Sequence, residues 1–253
     1  MAISPELAEH LDEHHRNIQG GGARAAIFGI SDGLVSNVSL ILGIAAAESA
    51  STGIVRLAGI AGMIAGAVSM AAGEYVSMKG QKELLERELE LERIEQERHP
   101  DHETAELAEI YAARGVDPED AHRLSRAMSR TPELMLETHA REELGVDPNE
   151  LGSPIQAMVS SFCAFAVGAF LPLVPWLFIK TAPTHAARVH DVHVAVVESI
   201  IIGALAALTV GAALARFTGK SLWWSASRQL LIASIAAAVT YGIGYLVGTG
   251  PVG

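Results

Sequence analysis

Cysteine is almost absent from this sequence of 253 residues: Cys163 stands alone. A single thiol excludes an intrachain disulfide and a thiolate metal cage. It lies in an apolar run, where a small buried thiol is expected. Aromatic residues are also sparse, at 5%. Basic charge is in short supply, with 18 Lys and Arg against 29 Asp and Glu, and it nowhere gathers into a stripe. That speaks against nucleic acid as a partner, because phosphates need such a stripe to neutralise them. The chain has no Ser/His/Asp arrangement, no His-Glu-x-x-His motif and no paired Glu-x-x-His. These absences argue against a membrane-embedded hydrolase or ferroxidase, and no enzyme activity is expected. The opening stretch MAISPELAEHLDEHHRNIQGGG is polar and contains acids, unlike a signal n-region or a transit peptide.

What the sequence does hold is apolar length. A membrane span needs about 20 mostly apolar residues. Five stretches qualify, at roughly 25–47, 54–78, 155–179, 193–215 and 227–248. Soluble core helices rarely stay apolar all round for so long. The expected fold is therefore all-α: a polytopic membrane protein with five transmembrane helices and a cytoplasmic helical insertion between the second and third. Its parts are an N-terminal cytoplasmic segment (1–24), transmembrane helices 1 and 2 (25–78), an acidic insertion (79–152) and transmembrane helices 3 to 5 (153–253).

Charge is sharply segregated. Residues 79–152 hold 10 of the 18 basic and 20 of the 29 acidic residues, and so carry −10 of the formal −11. With the N-terminus in the cytoplasm, that side collects Arg16, Arg24, the ten basic residues of the insertion, Arg216, Lys220 and Arg228; the other side keeps Arg56, Lys180 and Arg188. Fifteen against three sets the predicted orientation by the positive-inside bias. Trp176, Trp223 and Trp224 fall at span ends, where headgroups favour amphipathic rings. Small residues recur at four-residue spacing, as Gly62 and Gly66, Gly203 to Ala215, and Gly244 and Gly248, which predicts close helix packing. Pro172 and Pro175 are expected to kink the third span and free backbone carbonyls.

Within the insertion, the Glu-, Arg- and Leu-rich stretch 79–98 predicts a strong helix ended by His99-Pro100. A second helix is expected over 101–114, and a third after the cap Asp117. Thr131-Pro132 opens a further turn or helix through Glu143.

Polar residues inside apolar runs are costly, and so they are informative. Asp32 lies about eight residues into the first span, where an ionised carboxylate costs about 2.5–3.5 kcal/mol. It must face the bundle interior or water. Ser36 and Ser39 share its helical face. On the antiparallel second span Met70 comes to similar depth, with Glu74 one turn nearer the cytoplasmic end. A carboxylate facing a thioether suits a borderline divalent transition metal better than Mg2+ or Ca2+. Met63 and Met78 are read as packing. Glu74 is close enough to the interface to snorkel as well as to line a path. Glu198, beside His193, can assist exit or proton exchange, but is read as placed at the outer interface. His10, Asp12, Glu13, His14 and His15 can be a metal trap or plain surface, and Glu119 with His122 is read as surface.

The stretches FGISDGLVSNVSLILG and SMAAGEYVSMKGQ, with GAFLPLVPWLF in the third span, resemble the vacuolar iron transporter family, which spans yeast vacuolar and plant nodulin-like members. The match in order and spacing runs from about residue 24 onward. The resemblance implies a homodimer of five-span subunits that moves Fe2+ out of the cytosol in exchange for protons, with Mn2+ a further cargo. The membrane implied is vacuolar, or the plasma membrane for a prokaryotic member. Asp32 and Met70 match the acid and methionine that line the family's path. Glu92, Glu95, Glu103 and Glu106 match two i,i+3 glutamate pairs of its cytoplasmic metal-binding domain, and Glu143 a later one. His139 and Ala140 stand where that domain has a methionine pair, and imidazole suits Fe2+ or Zn2+. Read from residues alone, a Glu-rich helix is more often a solvated face. A membrane-anchored metal sensor or storage protein without transport stays open beside the transporter.

Overall fold

The computed structural model describes residues 22–47, 50–148, 152–179 and 185–248; the histidine-rich start, His10 to His15, lies outside them. Every regular element there is helical. The elements are α1 (Gly22–Ala45), α2 (Thr52–Arg98), α3 (Pro100–Ala113), α4 (Pro118–Met128), α5 (Pro132–Glu142), α6 (Pro154–Phe170), α7 (Val174–Phe178), α8 (His185–Thr218) and α9 (Leu222–Gly248). A single 3-10 turn, Leu171–Leu173, joins α6 to α7. The chain forms two compact units, one built on Val76–Ser153 and the other on Gly21–Tyr75 with Pro154–Gly253.

Five helical stretches are long and apolar enough to cross a membrane: Gly22–Ala45, Thr52–Arg98, Pro154–Phe178, Val189–Thr218 and Leu222–Gly248. Their outward faces carry bare Leu, Ile, Val and Phe. On α9, Leu231, Ile235, Val239, Ile243 and Leu246 are all exposed. Water would penalise such a surface, whereas lipid tails accept it. Cys163 belongs to the same outward surface. The expectation of a buried thiol fails there, because an apolar run in a span can face lipid as readily as core.

In the apolar unit α1 is the central post. Gly33 and Gly168 let α1 and α6 meet backbone to backbone: a methyl on Gly33 would collide with the Phe165 carbonyl, and one on Gly168 with the Ile30 carbonyl. On its other side α1 meets α9 in the same way through Gly43 and Gly244, and the Thr240 hydroxyl donates to the Ser39 carbonyl at 2.9 Å. Small residues let helices approach where burial from water supplies no drive. The expected small positions Gly203, Gly211 and Gly244 are at helix contacts. The closest α1–α6 contact was not foreseen, although Gly29 and Gly33 stand four residues apart and both meet α6 backbone.

The third span breaks where its prolines fall. The α-helix ends at Phe170, and α7 resumes at Val174. Carbonyls in this turn lack helical partners, and two buried side chains take them. Asn37 Nδ2 donates to the Ala169 carbonyl at 2.6 Å, and Ser199 Oγ donates to the Pro172 carbonyl at 2.8 Å. Trp176 Nε1 in turn donates to Ser199 Oγ at 2.8 Å. Trp176 is fully buried, so it locks the break instead of anchoring in headgroups; Trp223 and Trp224 are exposed as expected.

In the acidic unit, no break separates the second apolar run from the charged stretch: α2 is continuous for 47 residues. Lys79–Glu83 and Lys82–Glu86 pairs sit along it at i,i+4, and with no proline between 76 and 82 the helix runs through Gly80. Asp117 caps α4 by accepting from the Glu119 amide, and Thr131 caps α5 by accepting from the Leu134 amide. The turn or helix expected after Thr131 is a full helix. Leu107, Tyr111 and Ala121 pack α3 against α4. Gly115, with φ +96°, adopts the left-handed backbone that ends α3.

Candidate metal sites

The first site lies among the apolar helices. Asp32 on α1 and Met70 on α2 line one cavity of about 340 Å3, together with Ser36, Asn37, Leu40, Gly62, Gly66, Ser69 and Phe165. Ser36 Oγ donates to Asp32 Oδ1 at 2.9 Å, which orients the carboxylate and leaves its other oxygen for a ligand. Two glycines of its wall, Gly62 and Gly66, make room for neighbouring side chains. A methyl on Gly62 would strike Leu40 and stand 3.2 Å from Asn37 Oδ1, and one on Gly66 would strike the Phe165 ring. A carboxylate oxygen, hydroxyls, an amide oxygen and a thioether in one cavity among apolar helices form a mixed hard and soft donor set.

Other residues singled out for this region are placed differently. Ser39 is buried beside the α1–α9 contact and does not line the cavity. Glu74 does not line it either; its Oε1 is 2.7 Å from Arg24 Nη2, with the carboxylate largely buried and the guanidinium exposed. Glu198 is exposed and borders a separate cavity with Val174, Pro175, Phe178 and Ile201. Met63 packs against the core around Ile41 and Trp176, and Met78 is buried.

The second site lies within the acidic unit. Glu92 from α2, Glu103 from α3 and His139 from α5 bring ligand atoms within 4.8 Å of one another. His139 Nδ1 stands 3.1 Å from Glu92 Oε1, 3.6 Å from Glu143 Oε2 and 3.9 Å from Glu103 Oε2. Ligands about 2.1 Å from a tetrahedral cation stand about 3.4 Å from each other, the scale seen here. Proximity to Glu92 does not amount to a hydrogen bond, because the angle is poor: both nitrogens of the fully buried His139 lack a hydrogen-bond partner. Gln96 Nε2 donates to Glu92 Oε1 at 3.0 Å and fixes that carboxylate. Burial raises the Glu92 carboxyl above its usual pKa, with the Gln96 hydrogen bond and His139 pulling it partly back. An orphaned imidazole among carboxylates is the pattern a divalent cation resolves, by accepting the nitrogen lone pair and supplying positive charge.

The remaining glutamates diverge. Glu103 and Glu106 gather around the exposed His102. Glu95 turns to His99, with Nδ1 3.2 Å from its Oε2, and is outside both groups. Glu119 and His122 are exposed, as expected. Sequence reasoning missed Asn37, Gln96 and His102. For Asn37 the signal was present: an amide in an apolar run also carries a desolvation cost, smaller than that of the Asp32 carboxylate.

A family model described as the VIT family matches residues 23–245. Vacuolar iron transporter 1 of Oryza sativa subsp. japonica is 31% identical over 250 residues, covering 98% of this chain and 95% of the relative. Vacuolar iron transporter 1 of Arabidopsis thaliana is 34% identical over 184 residues, 72% of this chain and 73% of its own. A vacuolar iron transporter of Acanthamoeba castellanii is 38% identical over 164 residues, 64% of this chain and 59% of its own. Matched along nearly its whole length by the family model and by the Oryza sativa relative, the chain belongs to the VIT family.

Proposed function

We propose that this protein carries Fe2+ out of the cytosol by exchange for protons, with Mn2+ a second cargo. The observation that carries the reading is the cavity that Asp32 and Met70 both line among apolar helices. A carboxylate in a span is costly unless it serves a charged passenger, and the thioether selects for a transition metal. Asp32 and Met70 form the transport path, and Glu74 one turn nearer the cytoplasm, held by Arg24, marks its entrance. The names of the relatives support iron as cargo and a vacuolar membrane as one location; a prokaryotic plasma membrane serves the same export. The N-terminus and the acidic unit face the cytoplasm in this reading, and the functional unit is a homodimer.

Capture falls to the acidic unit. Glu92, Glu103, His139 and Glu143 hold the first ion, Glu106 extends the set through Glu103, and Glu95 is the member with the least support. The same donors accept Zn2+ or Mn2+. The net negative charge of this segment raises the cation concentration around it. The buried His139 cluster by itself also fits a membrane-anchored sensor or store. Proteoliposomes loaded with a pH dye and held under a pH gradient separate the two readings. Transport predicts Fe2+ uptake with matching proton release; metal binding without flux contradicts it, and flux without a pH change removes the antiport.

A further inference from the structure

Asn37 is the most deeply buried polar side chain in the Asp32 cavity, at 2% exposure. Its amide orientation is settled by chemistry. The Ala169 carbonyl, 2.6 Å away, can only accept, so the atom facing it must be the NH2 group. The oxygen is therefore turned the other way, and Oδ1 has no hydrogen-bond partner. A buried amide oxygen left empty costs about 1–3 kcal/mol. Gly62 adds to the oddity: the position its side chain would fill is 3.2 Å from Oδ1 and is taken by Leu40, so the oxygen is buried without a polar partner. The proline break in the third span supplies the acceptor that holds the amide this way round.

We propose that Asn37 Oδ1 is a neutral oxygen ligand for the ion in the Asp32–Met70 cavity and a determinant of which metal passes. The assignment rests on the transport reading above. Asp32 supplies charge, Met70 a soft donor, and Asn37 a hard donor that adds no charge. A single carboxylate binds a divalent ion without fully neutralising it, which favours release over trapping.

The test uses the full-length protein in proteoliposomes, with Fe2+ and Mn2+ as probes, comparing wild type, Asn37→Leu, Asn37→Asp and Asp32→Ala. Asn37→Leu removes both the oxygen and the amide donor, whereas Asn37→Asp keeps an oxygen toward the cavity and gives up the same donor. Ligation predicts that Asn37→Leu raises KM for Fe2+ about tenfold or more, and that Asn37→Asp transports with its preference moved toward Mn2+, the harder ion. Equal losses in the two variants, with the metal preference unchanged, would assign Asn37 to holding the helix break and overturn the proposal while wild type still exceeds Asp32→Ala. If Asn37→Leu fails to fold, an unchanged Mn2+ to Fe2+ preference in Asn37→Asp overturns it alone. Wild type showing no more flux than Asp32→Ala would overturn both this proposal and the transport reading.

Discussion

Ser199 offers the sharpest check on how the broken third span is held. Its hydroxyl is fully buried, accepts from Trp176 Nε1 at 2.8 Å and donates to the Pro172 carbonyl at 2.8 Å. Ser199→Ala deletes one oxygen and orphans two buried groups at once. Side-chain hydrogen bonds among membrane helices contribute about 0.6–1.7 kcal/mol each, so two together come to about 1–3.5 kcal/mol. For a chain of this size each kcal/mol moves Tm by about 2–4 °C, which gives a fall of roughly 2–14 °C. Thermal unfolding in detergent, followed by tryptophan fluorescence, reads it directly. Thr209→Val is the control: that exposed hydroxyl bonds only the Leu205 carbonyl of its own helix, and the change should move Tm by about 1 °C or less. A Ser199→Ala protein as stable as the control would refute the locking role given to Trp176 and Ser199.

Other expectations are as direct. Gly33→Ala and Gly168→Ala force α1 and α6 apart and should cost about 1–3 kcal/mol or more, whereas Gly73→Ala, with open space at its Cβ, should be neutral or stabilising; relative Tm values in detergent decide. His139→Ala should weaken Zn2+ or Fe2+ binding to the acidic unit about tenfold or more, while Glu95→Gln, which loses only a contact to His99, leaves it nearly unchanged; calorimetric titration of the full-length protein separates them. Met70→Leu conserves volume and should shift stability by less than about 1.5 kcal/mol, yet lower Fe2+ flux because the sulfur is gone.

Much of the fold was legible because membrane spans obey few rules. Run length gave five apolar helices, and Asp117, Thr131 and the prolines announced the breaks where they occur. Misreadings came where one residue type serves two environments. An apolar neighbourhood signals core in water but lipid or core in a bilayer, so Cys163 and Trp176 exchanged their expected places. The second span was cut at residue 78 because hydropathy changes there, although helix propensity does not. In the sites, Asp32 and Met70 were found by cost and depth, and they line one cavity. Asn37 could stand out only as an amide in an apolar run; its bonding partner, a carbonyl 132 positions away, is not given by any local pattern. The grouping of Glu92 and Glu103 with His139, and the departure of Glu95, likewise follow from how three helices pack.

The central claim is that metal crosses the membrane past Asp32. Fe2+ uptake into proteoliposomes by wild type and by Asp32→Ala, at matched protein content and under the same pH gradient, tests it most directly. The account predicts robust uptake by wild type and loss of nearly all of it in Asp32→Ala, with metal binding by the acidic unit retained. Undiminished uptake by Asp32→Ala would contradict it.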